Sequence, residues 1–185
     1  VNLPNALSLV RIFLVPVLVV FLIVVPRPYN LTAAVVFLAA VLTDWLDGRI
    51  ARSTRQVTTL GKLLDPVADK LLISASLISL VEVGRVPAWM VVLIVGRDLA
   101  VTGLRGIAAS QSVVIQASDF GKATMTAEVI AVALLILNWP AVSLPGWPAI
   151  SVPLGKAVLA VALLLSLASG VMYFHRFWRC IVLAK

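Results

Sequence analysis

Apolar residues fall into six long runs, at about 7–25, 31–49, 61–83, 88–108, 121–139 and 154–178, with polar, proline- or glycine-bearing breaks between them. Each run is close to the roughly 20 residues that an α-helix needs to cross a hydrocarbon layer of about 30 Å. Residues 1–6 form a short lead segment ahead of the first run. Pro26-Arg27-Pro28-Tyr29-Asn30 and Gly84-Arg85-Val86-Pro87 read as turns. The stretch from Gln111 to Asp119 reads as a polar connection, and 139–153, rich in Pro, Gly and Trp, as an interfacial loop. Pro16 lies inside the first run, where a membrane helix tolerates it. Pro66 is expected in the opening turn of the third helix. The pattern predicts an all-α integral membrane protein, six transmembrane helices around a cytoplasm-facing polar cavity, in a single domain over 1–185.

Composition narrows the class. The chain is 62% hydrophobic and only 12% charged, with mean hydropathy +1.10, which excludes an ordinary soluble domain. Six spans nearly use up the 185 residues and leave no sizeable soluble domain. The net charge of +7 is dispersed with no basic run, so no nucleic-acid partner is expected. Arg11, the basic group at 49–62, Arg105, Lys122 and the tail fall on one side; Arg27, Arg85 and Lys156 fall on the other. That asymmetry predicts a multi-pass protein of the cell (inner) membrane, a retained first span, and termini and acidic stretch facing the cytoplasm. The only cysteine, Cys180, allows no intrachain disulfide. Ala162, Ser166 and Gly170 recur every four residues, a spacing that allows close packing within the chain or across a dimer.

Four of the eight acidic residues lie between Asp44 and Asp69. Positions i and i+3, or i and i+4, share a helix face, so Asp44 pairs with Asp47 on the second helix and Asp65 with Asp69 on the third. A short connection makes these helices antiparallel neighbours. Four convergent carboxylates repel unless cations balance them. Hard oxygen donors suit Mg²⁺ or Mn²⁺, and two such ions would match the four charges. A paired-metal site clamps phosphate during an in-line displacement. Gly48 and Ala51 keep the helix surface low beside the carboxylates, Arg52 is placed to pair with a phosphate, and Gly61 has the same permissive role opposite. On the aspartates alone, a buried ionic cluster or a cation or proton pathway is the competing reading.

In order and spacing these residues resemble the signature of the CDP-alcohol phosphotransferase family: Asp44, Asp47, Gly48, Ala51, Arg52, Gly61, Asp65 and Asp69 fill all eight positions. The resemblance implies a six-helix homodimer that displaces CMP from a CDP-linked lipid with an alcohol. It implies that Asp44, Asp47 and Asp65 hold metal, that Asp69 is the general base and also touches a metal, and that Gly48, Ala51 and Arg52 line the CDP site.

The segments Asn2 to Arg11, Thr43 to Gly48, Gly61 to Lys70, Gly96-Arg97-Asp98 and Gly103-Leu104-Arg105 are similar to the branch that takes glycerol 3-phosphate as acceptor and CDP-diacylglycerol as donor. A phosphorylated acceptor needs further cations, and Arg97, Arg105 and Lys122 are the candidates, with Arg176 a weaker one. Against this, Arg97 has neighbours with which to pair, and Arg105 and Lys122 also read as orientation charges. The branch carries a second Lys where Thr124 stands here, and a Glu where Asp98 stands. Other acceptors, inositol phosphate or phosphatidylglycerol, therefore stay open. Asn5 is read either as a cytidine contact or as a helix N-cap, and His175 as an interfacial residue.

Overall fold

The computed structural model describes residues 3–24, 30–54, 59–110, 119–137 and 147–182, with side chains described at 8–24, 31–43, 67–110, 120–137 and 152–180. Among the described residues all regular structure is helical: α1 (Leu3–Ile23), α2 (Asn30–Thr54), α3 (Thr59–Glu82), α4 (Ala88–Ser110), α5 (Asp119–Ile136) and α6 (Trp147–Phe177), the last running into a π-helical turn at Trp178–Val182. The six apolar runs are the six helices, and several boundaries differ from expectation, α2 among them in running on to Thr54. Helix α1 starts at Leu3, so Asn5 lies inside its first turn and the N-cap position precedes it. Helix α3 starts at Thr59, which puts Pro66 within the helix and past its opening turn. Helix α6 starts at Trp147 inside the expected loop. Pro148 is its second residue, and a proline in the first turn forfeits no intrahelical hydrogen bond.

The core is built from aliphatic side chains at helical spacing. Leu18 and Leu22 of α1, Ala33, Phe37 and Ala40 of α2, and Leu72, Leu77 and Leu80 of α3 pack together. Met90 and Ile94 of α4, Val132, Leu135 and Ile136 of α5, and Leu159 and Leu163 of α6 complete it. Small residues set the closest approaches. Ala162 and Ser166 are fully buried inside this chain, and a Cβ on Gly155 would come within 2.8 Å of Leu135 Cγ. The four-residue stripe on α6 therefore serves packing within the chain.

Helix α3 ends in a Schellman motif: Gly84 takes φ 71°, its N–H donates to Val81 O at 2.9 Å, and Arg85 N–H donates to Leu80 O at 2.8 Å. Arg85 then crosses to α5, donating from Nη1 to Leu135 O at 2.7 Å. The sequence read this arginine as an orientation charge; here it also satisfies carbonyls that a helix C-terminus leaves open.

The outer surface is apolar. Phe13 of α1, Val92 of α4, and Leu164 and Val171 of α6 are each about two-thirds exposed or more. The segment Val152–Cys180 is long and apolar enough to cross a membrane, and Ser8–Ile23 and Leu31–Thr43 are shorter apolar helices.

Candidate active site

One end of the helix assembly collects the polar side chains. Asp69, Lys70 and Ile73 of α3, Arg97, Asp98, Val101, Thr102 and Arg105 of α4, and Gly121, Lys122, Thr124, Met125 and Glu128 of α5 line a cavity of about 360 Å³. The spacings explain why. On α4, positions 97, 101 and 105 are four apart; on α5, positions 121, 124, 125 and 128 lie on one face. Each helix is thus apolar along its core stripe and polar along one short adjacent strip.

Asp69 is a quarter exposed and opens onto the cavity, and Arg11 of α1 holds it from behind. Arg11 Nη1 donates to Asp69 Oδ1 at 2.7 Å, and its Nε donates to Ala40 O of α2 at 3.3 Å. The arginine, read from the sequence as an orientation charge, is fully buried within the chain. A buried guanidinium persists only where it is paired, and here the partner is the candidate base.

A second network ties three helices together. Asp98 Oδ2 accepts from Lys70 Nζ of α3 at 2.7 Å, and Asp98 Oδ1 accepts from Arg97 Nη1 at 2.6 Å. Arg97 Nη2 donates to Ser169 Oγ of α6 at 2.7 Å. The Arg97 stem lies on Gly170, where an added Cβ would meet Arg97 Cγ at 3.1 Å. Arg97 thus lines the cavity with most of its guanidinium committed to neighbours. Arg105 lies over the Tyr173 ring, 5.3 Å from its centroid, a cation–π arrangement that fixes the guanidinium direction. Lys122 lies on α5 at the same cavity. Asp69, Arg97, Arg105 and Lys122, far apart in sequence, therefore meet at one cavity.

Asp44, Asp47, Gly48, Ala51 and Arg52 lie on α2, Gly61 and Asp65 on α3, and Asn5 on α1, but their side chains fall outside the described residues. Both helices run unbroken through these positions, so 44 and 47 on α2, and 65 and 69 on α3, are positions that share a helix face.

Sequence reasoning overlooked Arg11, Lys70 and Glu128. A usable signal was present for Arg11 and Glu128, since each is ionisable inside an apolar run, where such residues mark function.

Comparison with known proteins decides the family. The sequence profile of the CDP-alcohol phosphatidyltransferases matches residues 1–172. The chain belongs to the CDP-alcohol phosphatidyltransferase family. This makes it a member of an enzyme family, membrane-associated and generally dependent on a divalent metal. The chain is 40% identical over 198 residues to the CDP-diacylglycerol--glycerol-3-phosphate 3-phosphatidyltransferase of Bacillus subtilis (strain 168), covering 97% of each. It is 37% identical over 178 residues to the probable phosphatidylglycerophosphate synthase of Mycobacterium tuberculosis (strain H37Rv), covering 95% of this chain and 81% of that one. It is 34% identical over 197 residues to the CDP-diacylglycerol--glycerol-3-phosphate 3-phosphatidyltransferase 2 of Arabidopsis thaliana, covering 98% of this chain and 82% of that one.

Proposed function

We propose that this CDP-alcohol phosphatidyltransferase moves the phosphatidyl group of CDP-diacylglycerol to glycerol 3-phosphate, giving phosphatidylglycerol phosphate and CMP. The observation that carries the reading is the single cavity shared by Asp69, Arg105 and Lys122. A carboxylate base and two cations at one cavity suit an acceptor with a hydroxyl at one end and a phosphate at the other. Relatives named for this reaction, at 32–40% identity over most of the chain, support the acceptor.

In the proposed reaction Arg105 and Lys122 bind the acceptor phosphate, with Arg97 as the wall that fixes their surroundings. Asp69 takes the proton of the terminal hydroxyl, and that oxygen attacks the phosphorus bearing diacylglycerol. The bond from that phosphorus to the bridging oxygen breaks, and CMP leaves with its phosphate. Arg11 keeps the Asp69 carboxylate oriented. Gly48, Ala51, Arg52 and Gly61 line the CDP portion, and Asn5 contacts the cytidine. Asp44, Asp47, Asp65 and Asp69 would hold two Mg²⁺ or Mn²⁺ ions. When bound, these neutralise the pyrophosphate and stabilise charge developing on the leaving oxygen.

The same reading takes 1–185 as one domain with six membrane spans, a cytoplasm-facing cavity and a homodimeric assembly in the cell membrane. Support comes from helices of 18 to 31 residues, their exposed apolar faces, and the skew of Lys and Arg toward the cavity end. The lipid tails stay in the bilayer and enter between helices.

Purified protein with Mg²⁺ and CDP-diacylglycerol, offered glycerol 3-phosphate, inositol phosphate and phosphatidylglycerol in turn, tests the reading. CMP release with glycerol 3-phosphate is expected. Release only with another alcohol overturns the acceptor, and release with none overturns the enzyme.

A further inference from the structure

Glu128 has no role in the scheme above, yet it lines the same cavity. It is 3% exposed, and its Oε1 has no hydrogen-bond partner among the described residues. Burying a carboxylate oxygen without a donor is unfavourable, so the position calls for something that supplies one.

Most neighbouring donors are engaged elsewhere, the exception being the buried Nε of Arg97, which likewise has no partner among the described residues. Lys70 and Arg97 both bind Asp98, and the other terminal nitrogen of Arg97 binds Ser169. Arg105 is stacked on Tyr173. Thr124 lies one helical turn before Glu128 and donates its hydroxyl to Phe120 O at 2.8 Å. A lysine at position 124 would reach Glu128 across that turn; threonine is too short and its proton is taken.

A carboxylate only accepts hydrogen bonds. It repels a phosphate and matches a hydroxyl. Glycerol 3-phosphate offers two hydroxyls: one reacts, and the other, on the middle carbon, needs an acceptor once water is excluded. We propose that Glu128 is a specificity-determining residue that accepts a hydrogen bond from this non-reacting hydroxyl. The inference rests on the acceptor assignment made above and adds what that assignment lacks. Arg105 and Lys122 recognise the phosphate, which many metabolites carry; Glu128 recognises the neighbouring alcohol. Together they hold the acceptor at its phosphate and its middle carbon, so that only the terminal hydroxyl is left to meet Asp69.

The test compares kcat/KM for glycerol 3-phosphate with that for 3-hydroxypropyl phosphate, which lacks only the middle hydroxyl, following CMP release from CDP-diacylglycerol. A site that hydrogen-bonds a substrate hydroxyl discriminates strongly against the analogue without it, so the unaltered protein should favour glycerol 3-phosphate on the order of 100-fold. Glu128→Leu should reduce that ratio to within a few-fold of unity, mainly through loss on glycerol 3-phosphate. The ratio reads only folded, active protein. Should Glu128→Leu fail to purify, Glu128→Gln keeps the shape, removes the charge and should lower the ratio about tenfold. An unchanged ratio in the purified variant overturns the proposal, as does equal use of both alcohols by the unaltered protein. Use of neither alcohol by the unaltered protein overturns the acceptor assignment instead.

Discussion

Arg11 and Asp69 bond at 2.7 Å, with the arginine buried and the carboxylate open to the cavity. In the proposed reaction, Asp69→Asn leaves a near-isosteric side chain that still offers an oxygen but no longer takes a proton. Turnover should fall by about 10²- to 10⁴-fold, with Mg²⁺ binding partly retained, as steady-state CMP release and metal titration would show. Arg11→Met should act on the fold as well. Losing the bonds to the quarter-exposed Asp69 and to Ala40 O should cost about 1–3 kcal/mol, to be read as a lower thermal midpoint in detergent. Asp69 was legible in the sequence because it closes a spaced pattern of eight residues. Arg11 carried only the general signal of an ionisable residue in an apolar run, because counting charges along a chain leaves open which face they occupy.

At the scale of elements, the apolar runs located six helices and left the ends uncertain, for reasons visible in individual residues. Trp147 and Pro148 resemble loop composition, yet a proline in the first turn is a sound way to begin a helix. Helix α3 begins at Thr59, two residues ahead of the glycine that the apolar pattern took as its start. Packing of α5 on α6 depends on the missing side chain at Gly155. Gly155→Ala would press a methyl onto Leu135 Cγ, 2.8 Å from the notional Cβ. Overpacking of this kind should cost about 1–3 kcal/mol, measurable as a lower unfolding temperature with the acceptor KM little changed.

At the scale of the whole molecule, the helices deliver charge to one end and leave the outer wall apolar. The grouping of Arg97, Arg105 and Lys122 with Asp69 was legible as a list of candidates. The three-helix link through Asp98 and Ser169 was not, since it depends on which faces of α3, α4 and α6 meet. Lys122→Ala should raise the KM for glycerol 3-phosphate about tenfold, a single phosphate contact, and leave the KM for CDP-diacylglycerol nearly unchanged; initial rates with each substrate varied in turn would separate the two. Cys180 is exposed at the α6 end that carries Tyr173. On the proposed orientation, a membrane-impermeant maleimide should label it in inside-out vesicles and spare it in intact cells; the reverse pattern overturns that orientation. At the far end, Arg85 grips the last carbonyls of α5 at Leu135 and Ile136. A helix rises about 1.5 Å and turns about 100° per residue. Slippage of α5 by one residue would therefore swing Lys122, Thr124 and Glu128 away from the cavity together. The Arg85 contact is thus placed to hold α5 in register from the end away from the cavity.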